Sequence, residues 1–212
     1  MTKPFSQACE NNKKPILDIL SRAFVKKKHV LEIGSGTGQH AVYFAKSLPF
    51  LIWQTSDLVI NHMGINLWID ALPTLNVRRP LILDLAKVQP LDEALSLSEN
   101  IDAMYSANTL HIISWPLVQK FFDLVETKLS QSGVLCIYGP FNYQGKYTSE
   151  SNENFDLWLK ARDIHSGIRD FEAVCQLATK ASLSLIEDVA MPANNRMLIF
   201  QKSSKRVQLS LY

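Results

Sequence analysis

Apolar and polar positions divide this chain into alternating strand-length and helix-length segments. Ile16, Leu17, Ile19, Leu20 and Phe24 recur at helical spacing over residues 15–24, with Pro15 suited to a first turn. Residues 29–33 read as a strand. Behind a glycine turn, Ala41, Val42, Phe44, Ala45 and Leu48 mark a helix that Pro49 stops. A strand over 51–56, a helix over 60–72 closed by Pro73, and short strands over 80–83 and 101–106 follow. Ser114 reads as an N-cap, Pro116 as first turn, and Leu117, Phe121, Leu124, Val125 and Leu129 share a face. Gly133 ends that helix and releases an apolar strand over 134–138. Two further helices are expected over 154–162 and 170–181, the second with Phe171, Val174, Cys175 and Ala178 inward.

Alternating strands and helices predict a doubly wound α/β sheet whose parallel strands are continuous apolar runs. The end differs in kind. Strands over 183–191 and 196–202 are joined only by Pro192, Ala193, Asn194 and Asn195, too short for a parallel crossover, so an antiparallel hairpin closes the sheet. With neither repeats nor a linker, residues 1–212 are expected to form one domain, with 203–212 a loosely held extension.

Composition removes several classes. At 47% hydrophobic and 20% charged residues, the chain has the balance of a folded globular protein. A net charge of +2 and one short basic run, Lys26 to His29, argue against a nucleic-acid partner. Cys9, Cys136 and Cys175 are too few and too scattered for a disulfide framework or a metal motif, so a reduced, cytoplasmic protein is expected. No metal site and no membrane span are expected.

The chemistry concentrates at strand ends, where open α/β sheets hold their ligands. Glu32, Asp57, Asp84 and Asn108 close the first four strands. Between the first strand and its helix lie Gly34, Ser35, Gly36, Thr37 and Gly38. A dinucleotide fingerprint needs its third glycine at residue 39, which is Gln39. The pattern E-x-G-x-G-x-G instead resembles motif one of the class I S-adenosylmethionine-dependent methyltransferases. That resemblance implies a seven-stranded Rossmann-like sheet and S-adenosylmethionine as cofactor, with S-adenosylhomocysteine as product. It also implies Glu32 near the cofactor ammonium, Asp57 on the ribose hydroxyls, and Asp84 with Leu85 on adenine. More closely, ENNKKPIL, GSGTGQH, WQTSD, YGPF, SNENFD, GIRD and MPANNRMLIF together resemble the methyltransferase-like protein 26 family, over about residues 8–202.

The acceptor side is less marked. His111 is a candidate general base, with Asn108 and Tyr138 beside it as further catalytic candidates. Asn142 and Tyr147 belong to a candidate lid, Arg169 could hold an acidic acceptor, and Asn194 tips the hairpin, where turn geometry also explains it. The N-P-P-aromatic loop of many nucleobase and glutamine methylases is replaced by Asn108-Thr109-Leu110. The expectation is methyl transfer to a small molecule or a limited protein site. A catalytically silent module binding the cofactor or a partner stays open, as does an NAD-dependent oxidoreductase.

Overall fold

A computed structural model of the protein describes residues 2–87 and 100–203. Helix α1 (Gln7–Ala23) leads into β1 (His29–Ile33), α2 (Gln39–Ser47), β2 (Ile52–Asp57), α3 (Val59–Ala71) and β3 (Val77–Ile82). Then come β4 (Ala103–Ala107), α4 (Trp115–Lys128), β5 (Val134–Gly139), the short β6 (Phe141–Asn142) and α5 (Glu150–Arg162). The short β7 (Arg169–Asp170), α6 (Phe171–Lys180), β8 (Leu183–Met191) and β9 (Asn195–Lys202) complete the order.

Seven strands form one sheet in the order β3-β2-β1-β4-β5-β9-β8, while β6 and β7 make a separate parallel pair. β9 runs antiparallel between β5 and β8, as the short connection, Pro192 to Asn194, requires. Left-handed Ala193 and Asn194, both at φ 56°, make the tight turn whose twist suits a hairpin. Strand order reverses between β1 and β4. Their C-terminal ends therefore lie side by side with a crevice between them.

The two faces of the sheet bury separate cores. Ile16, Leu20 and Phe24 of α1 meet Phe44, Trp53 and Tyr105 on one face. Phe121, Val125, Val174 and Leu177 of α4 and α6 cover Leu31, Leu135 and Leu198 on the other.

Three local departures have physical causes. α1 starts well before residue 15, because the Ser6 hydroxyl caps it by accepting from the Cys9 N–H. Pro15 is thus interior; the helix tolerates the lost bond because Asn12, Ile16 and Leu20 are buried along one side. β3 includes Pro80, allowed on a sheet edge where a missing N–H leaves no partner unserved. Ser114 has N-cap backbone geometry, but its side chain makes no capping bond. Of the expected extension over 203–212, all but Ser203 lies outside the described residues.

Candidate cofactor and active site

The glycine turn is built by backbone necessity. Gly34, Gly36 and Gly38 have φ of +78°, +57° and +89°, the left-handed region that glycine enters without penalty. Two of them also sit where a side chain has no room. A Cβ on Gly34 would lie 2.8 Å from Thr109 Oγ1, and one on Gly38 would lie 2.9 Å from Ile65 Cα. Gly36 is different: its Cβ direction meets nothing within 4 Å.

Most amides of the turn are already engaged. Gly34 and Ser35 N–H both donate to Ser56 O (3.1 and 3.0 Å), and Gly38 N–H donates to Ser35 O (2.9 Å). Gly36 N–H donates to Asp57 Oδ2 at 2.7 Å. A phosphate cradle needs those amides free, and a carboxylate beside them repels an anion. The turn is thus a poor pyrophosphate site.

Two acids bracket it. Asp57 ends β2, where Leu58 N–H and Asn61 Nδ2 both donate to Oδ1 at 2.7 Å. Remaining acceptor capacity therefore lies on Oδ2, so two ribose hydroxyls could be held only if one protein donor withdrew. Glu32 ends β1 fully inside the protein and accepts from Trp53 Nε1 at 3.1 Å. Burial raises its pKa to about 7, opposed by that indole and the Ser35 hydroxyl. Asp84 sits farther out, with Oδ1 accepting from Ala86 N–H at 3.0 Å and Lys87 Nζ 3.3 Å from Oδ2. Leu85 packs on the core beside it.

At the end of β4, Asn108 is left-handed (φ 55°) and its N–H donates to Tyr138 O at 2.9 Å. His111 follows in the β4–α4 loop, buried, its Nδ1 3.5 Å from where a Gly139 Cβ would stand. Its ring meets Phe155 of α5 edge-on at 5.4 Å. Among the described residues no hydrogen bond reaches either ring nitrogen. Burial first, and the Arg169 charge second, hold its pKa down at about 4, so the imidazole is neutral at physiological pH.

α5 also ties down two other candidates. Tyr147 OH donates to Asp156 Oδ2 at 2.7 Å, and Asn194 Nδ2 donates to Ser151 Oγ at 3.1 Å. Asn142 Oδ1 is buried without a hydrogen-bond partner, an acceptor left over at the end of β6. Arg169 turns three of its five donors to backbone carbonyls. Nε and Nη2 are spent on the carbonyls of Leu110 and Ile113. The Tyr138 ring packs in the core under α1, away from His111.

Beside it runs a buried polar chain that the sequence did not suggest. His40 Nε2 meets Asn12 Oδ1 at 2.8 Å, and Tyr105 OH meets His40 Nδ1 at 3.3 Å. Burial depresses the His40 pKa to about 4. One signal was present: Asn12 is a polar residue in the register of Ile16 and Leu20, on the apolar stripe of α1. Gln39 has a second meaning as well. Its Oε1 accepts from Ser6 N–H and its Nε2 donates to Ser6 O at 3.3 Å, tying the start of α1 to the glycine turn.

Comparison with known proteins agrees with this architecture. A family model described as "Protein of unknown function (DUF938)" matches residues 3–202. The chain belongs to that family. Its fold is similar to that of an O-methyltransferase family protein from Burkholderia thailandensis, with a TM-score of 0.77 at 18% identity over 92% of this chain and 57% of that one. An O-methyltransferase family 2 protein from Planctomyces limnophilus, in complex with apigenin, gives 0.74 at 14% identity over 92% and 57%. Human N-acetylserotonin methyltransferase in complex with SAM gives 0.69 at 11% over 91% and 55%. The DUF938 chain thus has a class I methyltransferase fold and spans a little over half the length of these proteins. Among the described residues, no helix is long and apolar enough to cross a membrane and no cluster of metal-ligating side chains occurs.

Proposed function

We propose that this DUF938 protein is a methyltransferase that uses S-adenosylmethionine and acts on a small-molecule acceptor. The observation that carries the reading is the pair of carboxylates, Glu32 and Asp57, around a glycine turn whose amides are already engaged. Such a site suits a nucleoside bearing positive charge, whereas a dinucleotide pyrophosphate would meet negative charge and few free donors. The open side of Gly36 admits the ligand, Asp57 Oδ2 takes a ribose hydroxyl, Glu32 faces the ammonium, and Asp84 with Leu85 borders the adenine. The motifs shared with the methyltransferase-like protein 26 family support the same cofactor.

When bound, S-adenosylmethionine supplies an electrophilic methyl group on a sulfonium. The chain's own contribution is alignment and proton handling. His111, neutral and with unbonded ring nitrogens, takes the proton that a hydroxyl acceptor loses as it is methylated. Asn108 shapes the end of β4 beside it, and Asn142 Oδ1 offers the acceptor a hydrogen bond. Tyr147 and Asn194 build the wall through α5. The protein works on a soluble acceptor in the cytoplasm, without nucleic acid or membrane.

Calorimetry tests the cofactor. S-adenosylhomocysteine should bind, and nicotinamide dinucleotide should neither bind nor raise the melting temperature; the reverse result would overturn the reading. An untargeted metabolite comparison of cells with and without the protein should then show a species differing by one methyl group.

A further inference from the structure

A histidine that moves protons is usually oriented by a hydrogen bond from its second ring nitrogen to a carboxylate or carbonyl. His111 has no such bond. What holds it is its backbone. The carbonyls of four consecutive residues in its loop are taken by one segment from elsewhere in the chain. Leu110 O accepts from Arg169 Nε at 3.0 Å, and His111 O accepts from Gly167 N–H at 2.9 Å. Ile112 O accepts from Ser166 Oγ at 2.6 Å, and Ile113 O accepts from Arg169 Nη2 at 2.5 Å. Loops ordinarily leave such carbonyls to water and gain mobility by it. This one has none of the four free.

The gripping segment is itself anchored. Ile168 N–H donates to Asp156 Oδ1 at 2.6 Å, and Arg169 Nη2 returns to His165 O at 2.8 Å. Asp156 is buried and also receives Tyr147 OH and Lys160 Nζ. Gly167 lies close against it, since a Cβ there would stand 3.0 Å from Asp156 Oδ1. The same α5 that carries Asp156 sets Phe155 against the His111 ring. Backbone and ring are therefore located by one rigid unit.

We propose that Arg169, together with Ser166 and Gly167, is the positioning element of the acceptor site, orienting His111 through its backbone in place of a bond to the imidazole. This rests on the reading of His111 as the proton acceptor. The arrangement differs from an orienting carboxylate, which would stabilise the imidazolium: backbone grip leaves the ring neutral, with its one lone-pair nitrogen open to an acceptor's proton. Arg169 is the one charged group acting on the ring among the described residues; Asp156 in turn faces Arg169.

The test is nuclear magnetic resonance of the full chain labelled at histidine, with the His111 signal assigned by its loss in His111→Gln. In Arg169→Gln the ring is released toward water and loses the neighbouring cation, so its titration midpoint should rise by about one pH unit or more, with the His40 signal unmoved. Arg169→Lys keeps the cation and loses the fork, so a smaller rise there reports release of the backbone rather than loss of charge, and no rise there overturns the proposal. S-adenosylhomocysteine affinity should stay within about twofold, because none of these bonds touches the glycine turn. A folded Arg169→Gln protein whose His111 signal titrates as in the wild type overturns the proposal. If Arg169→Gln does not fold, Ser166→Ala removes a single bond and is read the same way, with a smaller rise supporting the proposal and no change overturning it. Failure of the wild type to bind S-adenosylhomocysteine would instead remove the cofactor assignment, leaving the His111 comparison to decide the positioning role.

Discussion

Replacing Glu32 by glutamine separates what this residue costs the fold from what it contributes to the site. The carboxyl is buried and its pKa is raised from 4.5 to about 7. At about 1.4 kcal/mol per unit, ionised Glu32 costs the folded state about 3 kcal/mol above pH 7. Between the two pKa values the unfolded chain is ionised at this position while the folded one holds its proton. Wild-type stability from this group is therefore complete below about pH 4.5 and is lost as pH rises through about 7. In Glu32→Gln the amide would keep the shape and an oxygen acceptor for the Trp53 indole, without the charge. The variant should thus match the wild type near pH 4.5 and exceed it by up to about 3 kcal/mol near pH 8. Urea unfolding of both proteins at the two pH values, without added cofactor, measures the difference, in which all other titrations cancel. Affinity for S-adenosylmethionine should move the other way and fall, because the partner of its ammonium is gone. A stability difference that is constant with pH would refute the buried-acid account, and undiminished affinity would refute the role in the site.

Four further outcomes follow from particular contacts. Asp57→Asn turns an amide N–H₂ or a carbonyl toward donors that now share one carboxylate, so calorimetry should show S-adenosylhomocysteine binding weakened more than about tenfold, with a stability loss of about 1–3 kcal/mol by urea unfolding. Gly36→Ala meets nothing within 4 Å and should fold with a loss of about 1–2 kcal/mol from its left-handed backbone, yet block the cofactor. Gly38→Ala would press on the α3 backbone at Ile65 Cα and should cost clearly more in the same unfolding assay. His40 and His111 are buried neutral with pKa lowered from 6.5 to about 4, so their stability is present above about pH 6.5 and is lost as pH falls toward 4; His40→Gln should flatten the acid limb by about 1.4 kcal/mol per pH unit in that window.

Legibility in the sequence tracked how local each cause was. The β8–β9 hairpin was readable because four residues cannot make a parallel crossover, whatever else the chain does. The glycine turn was readable because positive φ and lack of room select one residue type. The start of α1 was not, because a buried face, not local propensity, carries that helix across Pro15. Arg169 looked like an anion holder by charge alone. Its actual partners are backbone carbonyls on a loop distant in sequence, and carbonyls leave no mark in side-chain identity.

By itself, then, the sequence determined the layered α/β class, the closing hairpin, and a glycine turn between two acids. These rest on periodicity, connection length and glycine sterics, all of which act within a few residues. Only the tertiary structure decided the protonation of Glu32 and His111, the chain from Asn12 through His40 to Tyr105, and the grip of residues 166–169 on the His111 loop. Each of these depends on burial or on a partner far along the chain, and neither exists until the sheet has brought the strand ends together.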